Sequence, residues 1–155
     1  FFGVKRNDVG DEGEAIALEY ERITVAATRR DLAHLVKKVS MATSLGYDII
    51  SLHAEEGRRK KYIEVKTTKK NHMPEVEIPF TISINEWSVA QQHGDDYFIY
   101  RVTITKEGVS IFSIRNPVAR AKDGTLSAEP IGFKIVYLPG SGAYLDMKPI
   151  YANNQ

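Results

Sequence analysis

The chain contains no cysteine. That excludes a disulfide framework and a thiolate metal centre, and it suits a reducing compartment. Long apolar runs are missing too. Nothing approaches the roughly 18 consecutive apolar residues that span a bilayer, and the opening "FFGVKRNDVG" lacks the apolar region of a secretory signal. A cytoplasmic (intracellular) setting with no membrane partner is the expectation. A start on Phe1 rather than Met reads as a piece of a longer protein. Surplus charge of one sign is absent as well: 21 Lys and Arg face 20 Asp and Glu, for a net charge of +1. Overall charge therefore points to no partner, and only local clusters can. There is no internal repeat, low-complexity run or linker. What is present is 155 residues, 43% hydrophobic and 26% charged, the composition of one globular domain with a sizeable core.

Periodicity and punctuation predict one α/β (α+β) domain over residues 1–155. "DEGEAIALEYERITVAATRRDLAHL" reads as a helix. Ile16, Tyr20 and Ile23 recur at spacings of four and three, Ala15 and Leu18 widen the stripe, and Asp11 and Glu12 suit the positive end of the helix dipole. "LVKKVSM" reads as a short strand. "YDIISLHA" and "KKYIEVKTT" read as strands joined by the turn "EEGRRK" at Gly57. Pro74 and Pro79 make "NHMPEVEIPFTI" a loop followed by an extended piece. "SINEWSVAQQHG" is a helix capped by Ser83 or Asn85 and stopped at Gly94, with Trp87 and Ala90 on one face. "DYFIYRVTIT" and "GVSIFSI" follow as strands joined by "KEG". "NPVARAKDGTLSAEP" reads as a loop and "IGFKIVYL" as a last strand.

The stretch "GYDIISLHAEEGRRKKYIEVKTT", residues 46–68, carries charge where a strand should be apolar. Strand residues i and i+2 share a face, so Glu64 and Lys66 point one way with Tyr62 and Thr68, and Ile63, Val65 and Thr67 point the other. A hairpin turning near Gly57 carries Asp48 toward Glu64. Two close carboxylates repel and persist by sharing a cation. Oxygen ligands completed by water suit Mg²⁺ or Mn²⁺, and a lysine beside that cation can stabilise phosphate charge or orient an attacking water. A plainer account is also open: a surface Glu64–Lys66 pair on a solvated face, with Asp48 capping a loop.

The basic residues Arg58, Arg59, Lys60 and Lys61, and Lys69 and Lys70, bracket this strand, where a nucleic-acid backbone would pass. Glu19 and Glu21 read as solvated and Trp87 as core. None of the four histidines has a spaced partner suggesting a zinc site. No helix carries a base-reading set, so sequence recognition is expected in another domain or chain.

The blocks "GEAIALEYE", "GYDIIS", "YIEVKTT", "FTISINEW" and "GDDYFIYRV" resemble, in order, those of the NO VEIN C-terminal domain family. They span about residues 13–104, and the later "NP" at 116 is compatible with the remainder. An acidic helix, an Asp and a strand with E-x-K also resemble the PD-(D/E)XK nuclease superfamily, with Tyr47 in place of the proline of its name. The resemblance implies a restriction-endonuclease-like core: a central mixed sheet flanked by helices, in the order α-β-β-β-α-β with extra C-terminal strands. It implies hydrolysis of DNA phosphodiesters with Mg²⁺ (or Mn²⁺). In that mapping Asp48 and Glu64 hold the metal with the Val65 carbonyl, Lys66 positions water or steadies the phosphate, and Glu14 completes the set. Gln91 is a candidate accessory residue. Implied partners are DNA, duplex favoured, and other domains of a longer chain such as an ATPase or recognition domain, in a restriction or antiviral defence protein; a homodimer is compatible. The alternative is a catalytically silent nucleic-acid- or protein-binding module that retains the fold.

Overall fold

A computed structural model describes residues 8–39, 45–132, 136 and 138–148. Helix α1 (Asp8–Arg29) runs into a 3₁₀ turn at Arg30–Leu35. Its buried stripe is not the expected one. Gly13, Ala17, Glu21 and Val25 are buried, whereas Tyr20 and Ile23 are 51% and 62% exposed. The reason is steric: a Cβ on Gly13 would lie 1.8 Å from Thr67 Oγ1, so α1 approaches the sheet through its smallest residues. Ile16 and Leu18 pack beside that line, against the core.

Strands β1 (Lys37–Lys38), β2 (Ile49–Leu52), β3 (Lys60–Lys69), β4 (Tyr97–Thr105) and β5 (Gly108–Arg115) lie side by side in chain order. Neighbours are antiparallel except β3 and β4, which run parallel. A parallel pair needs a crossover, and α2 (Ile84–His93) provides it. Ser83 caps that helix with its side chain. The sheet is therefore mixed, in the expected order, with β5 as the further strand.

Asn116 onward departs from expectation. Pro117–Asp123 forms helix α3, not a loop. Asn116 holds a left-handed φ of 51°, its side chain accepts the Ala119 N–H, Pro117 stands in the first turn and Gly124 ends the helix. The strand predicted over "IGFKIVYL" falls partly on residues 133–135 and 137, outside the described residues. Ile131, Gly132, Val136 and Leu138 are exposed and outside any strand. Ser40 and Met41 of the "LVKKVSM" strand also lie outside them.

β3 is covered on both faces. Toward α1, Ile63 and Val65 join Ala17, Ile49, Tyr100 and Val102 in one cluster. Toward α2 and α3, Tyr62 packs with Ala90, Tyr97, Ile99, Val89 and Val118 in another. A strand buried on both sides should be apolar throughout, so a charged residue inside it needs a specific partner. No helix among the described residues is long and apolar enough to cross a membrane.

Candidate active site

The chain is bent into place just before Asp48. Gly46 has φ +77°, and a Cβ there would meet Val89 Cγ2 at 2.7 Å, so glycine alone lets the backbone pass α2. The buried Tyr97 hydroxyl donates to the Gly46 carbonyl at 2.8 Å. Asp48 stands just before β2: its N–H donates to the Ile63 carbonyl at 2.8 Å, and its Oδ2 accepts the Val65 N–H at 2.8 Å. The carboxylate thus occupies the ladder position of a backbone carbonyl. A strand residue's N–H and C=O point to the same side, so the Val65 carbonyl also faces past the start of β2, beside Asp48.

Glu64 follows on the α2 face and is 5% exposed. Lys66 Nζ lies 3.2 Å from Glu64 Oε2 and 3.1 Å from Glu86 Oε1. Sequence reasoning missed Glu86. It stands three residues after the cap Ser83, and its Oε1 also accepts the Ser83 N–H at 2.9 Å, closing a capping box. That S-x-x-E signature was readable, but only the crossover through α2 brings it to Lys66. Gln91, further along α2, is exposed and makes no hydrogen bond to Asp48, Glu64 or Lys66 among the described residues. Glu14 reaches the site's edge from α1, ion-paired with Lys38 at 3.1 Å.

The electrostatics follow from crowding. Burial, and then repulsion from Asp48, pushes the Glu64 carboxyl up to about 8. Burial also raises Asp48, against the lowering effect of the Val65 N–H. Glu14 is raised by burial and then by Asp48. For Lys66, burial opposes the charge, but Glu64 and Glu86 outweigh it and hold the ammonium above its ordinary value. Asp48 and Glu64 therefore share one proton near neutrality and titrate as a unit. Four carboxylates (Glu14, Asp48, Glu64, Glu86) surround two ammonium groups (Lys38, Lys66), leaving a negative surplus.

Among the described residues, no three Asp, Glu, His or Cys side chains form a metal site by themselves. The donor set is smaller: the two interacting carboxyls Asp48 and Glu64 and one backbone carbonyl, that of Val65. That set fits Mg²⁺ or Mn²⁺, since Mg²⁺ takes one or two carboxylates and keeps several waters.

The flanking basic residues are not equivalent. Arg58, Lys60 and Lys70 are exposed. Arg59 is bound by Glu56 and, at 2.7 Å, by Asp96. Lys69 pairs with Glu12 at 3.2 Å. Lys61 points to the opposite face from Lys66, as strand parity demands. There it bonds Glu21 at 3.1 Å and the Tyr100 hydroxyl at 2.7 Å, which removes it from the basic turn. Glu21, expected to be solvated, is 1% exposed, because those two groups replace water around it. A cavity of about 550 Å³, lined by Ile16, Tyr20, Lys61, Val109 and Ile111 among others, opens on this α1 face. This cavity and the surplus charge thus lie on opposite sides of the sheet, and the charge marks the candidate site.

The fold and site define a mixed α+β domain with a crowded carboxylate–lysine set on its central strand. The chain belongs to the NO VEIN C-terminal family: the family model described as "Protein NO VEIN, C-terminal" matches residues 13–114. Glu14, Asp48, Glu64, Lys66 and Glu86 all fall inside that span. The chain is 29% identical over 130 residues to Protein NO VEIN of Arabidopsis thaliana, covering 81% of this chain and 4% of that protein. It is 29% identical over 125 residues to Protein NO VEIN-LIKE of the same plant, covering 81% of this chain and 18% of that protein. The chain thus spans only a small part of either relative. No solved structure matches it.

Proposed function

We propose that this domain is a metal-dependent nuclease of the PD-(D/E)XK kind, hydrolysing DNA phosphodiester bonds as one part of a longer protein. The observation that supports it is the Asp48 carboxylate bonded to the Val65 N–H at 2.8 Å, with Glu64 and Lys66 on either side of Val65 and a negative surplus among them. Asp48, Glu64 and the Val65 carbonyl would hold Mg²⁺ or Mn²⁺, which supplies Lewis acidity and acidifies bound water. Lys66 stabilises the charge that grows on the phosphate oxygens as water adds to phosphorus and the bond to the leaving oxygen breaks. Glu86, 3.1 Å from Lys66, keeps the ammonium charged and aimed along the α2 face. Glu14 adds negative charge at the rim and is tethered by Lys38.

A second reading is a silent nucleic-acid- or protein-binding module. It is favoured by one feature: Lys66 is already bridged by two carboxylates within the fold. Incubation of the purified domain with plasmid and oligonucleotides in Mg²⁺, Mn²⁺ or EDTA separates the two. The nuclease cuts with metal and not with EDTA, and Lys66→Ala or Asp48→Ala lowers the rate by about 10²-fold or more, the scale of losing one electrostatic stabiliser. Equal cutting by parent and Lys66→Ala would remove the lysine's role. No cutting under any metal would leave the silent module.

A further inference from the structure

Lys66 on β3 is the register partner of Arg101 on β4, and Arg101 is the register partner of Phe112 on β5. Register partners share a face, so the three side chains form a row across the sheet on the α2 side. Neighbouring strands are about 4.8 Å apart, which sets Phe112 about 10 Å from Lys66.

Lys66 is held by Glu64 and Glu86, while Arg101 and Phe112 have capacity left over. Arg101 donates from Nη2 to the Ile78 carbonyl at 3.2 Å, and its guanidinium lies 5.2 Å from the Phe80 ring. Among the described residues no carboxylate forms an ion pair with it, and a guanidinium carries five donors. The carboxylate whose field reaches it is Glu77, an exposed residue of the loop before α2. Phe112 is 64% exposed on the edge strand. Beside it, Ser110 contacts Met73, itself 56% exposed. A large aromatic ring kept in water next to a half-buried cation, in line with a candidate hydrolytic lysine, has the chemistry that stacks a base beside a bound phosphate.

We propose that Lys66, Arg101 and Phe112 guide a single-stranded segment of nucleic acid across the sheet, with one phosphate at Lys66, its neighbour on Arg101 and a base stacked on Phe112. The inference rests on the nuclease reading and narrows its substrate. Bases inside a duplex have their faces covered by their neighbours, so a ring on a flat sheet face can stack only on a base outside the helix.

Fluorescence anisotropy in EDTA, where nothing is cut, tests it with labelled oligo(dT), oligo(U) and a duplex of equal length. Single strands should bind more tightly than the duplex, and the dT and U arms decide between DNA and RNA. Phe112→Ala should weaken single-strand binding by about 5- to 100-fold, the loss of one stacked base, and leave duplex binding nearly unchanged. Arg101→Gln should lower the salt slope of log K on single strands by about 0.7 and Arg101→Lys should not. Phe112→Ala binding single strands like the parent, while the parent binds and cuts, would overturn the track and leave the nuclease standing. Loss of self-association as the only effect of Phe112→Ala would also overturn it, and would assign the ring to a β5 edge contact. A parent that binds no nucleic acid would overturn both proposals. Loss of single-strand binding on Phe112→Ala in a parent that never cuts would support the track and sink the nuclease.

Discussion

Strand β3 carries a buried carboxylate–lysine arrangement on each face, and the two differ in charge balance rather than in residue type. On the α1 face, Glu21 accepts from Lys61 at 3.1 Å and from the Tyr100 hydroxyl at 2.7 Å. One carboxylate meets one ammonium and one hydroxyl, and Lys61 also lies 4.5 Å from the centre of the Phe98 ring. The set is neutral and closed. On the α2 face, Asp48 and Glu64 crowd together with Glu86 and Glu14 in range and only Lys66 and Lys38 to balance them. That set keeps a surplus that only a proton or a cation can settle. Burial pushes Tyr100 up, with Glu21 adding to it, so its hydroxyl is a donor near neutrality. A shared proton on Asp48 and Glu64, by contrast, is exchangeable near neutrality. A neutral buried set ties elements together, whereas a charged surplus leaves a demand for a proton or a cation.

The sharpest way to break this contrast is to unbalance the closed side. Lys61→Ala leaves Glu21 buried without its cation, which should cost about 3–5 kcal/mol, read as a lower denaturant midpoint at unchanged slope. Replacing both members, Glu21→Leu with Lys61→Met, should recover most of that loss. A Lys61→Ala midpoint equal to the parent's would show that the pair ties nothing together.

The opposite behaviour is expected across the sheet. Glu64 keeps its proton in the folded state up to about pH 8, while the unfolded chain releases it near the ordinary carboxylate value. The folded state therefore binds more protons between those limits, and stability without metal falls as pH rises through that window. The loss should be on the order of 2–4 kcal/mol. Glu64→Gln should flatten the profile and exceed the parent above pH 8. Mg²⁺ or Mn²⁺ should stabilise the parent more at pH 8 than at pH 5, releasing about one proton on binding, seen by calorimetry in two buffers. A parent as pH-independent as Glu64→Gln would refute the shared proton.

The smallest effect belongs to the turn between β2 and β3. Arg58 is exposed and Arg59 is held by Glu56 and Asp96. Arg58→Gln should leave stability within about 0.5 kcal/mol. If the turn meets a duplex backbone, the salt slope of log K falls by about 0.9 for that one contact. An unchanged slope would assign Arg58 to solvent and leave the basic track to the row that includes Lys66 and Arg101.

The convergence of Asp48, Glu64 and Lys66 was legible because it rests on local rules. Strand parity puts Glu64 and Lys66 on one face, and a glycine turn at Gly57 sets the hairpin that returns Asp48 to them. The capping of α2 at Ser83 or Asn85 was legible for the same reason, and the structure puts the cap on Ser83. Glu21 was not. A glutamate in the middle of an amphipathic helix reads as solvated, and its burial depends on Lys61 and Tyr100, 40 and 79 residues away in the chain. The apolar stripe of α1 was misjudged because the distance between helix and sheet, which favours Gly13 and Ala17 over Tyr20 and Ile23, is a property of packing. Helix α3 was missed although Asn116-Pro117 is a capping signal, since seven residues are too short for periodicity to register.

By itself, then, the sequence determined the alternation of faces along β3, the turn and cap positions, and the family to which the domain belongs. These depend on steric and hydrogen-bonding preferences between residues a few positions apart. Tertiary structure alone decided which charges are neutralised and which are left over. It brought Glu86 to Lys66 through the crossover, turned Lys61 to the other face to meet Glu21, and aligned Lys66, Arg101 and Phe112 across three strands. The physical reason is that charge balance is set by burial and by fields acting over a few ångströms, and the groups that supply them come from every part of the chain.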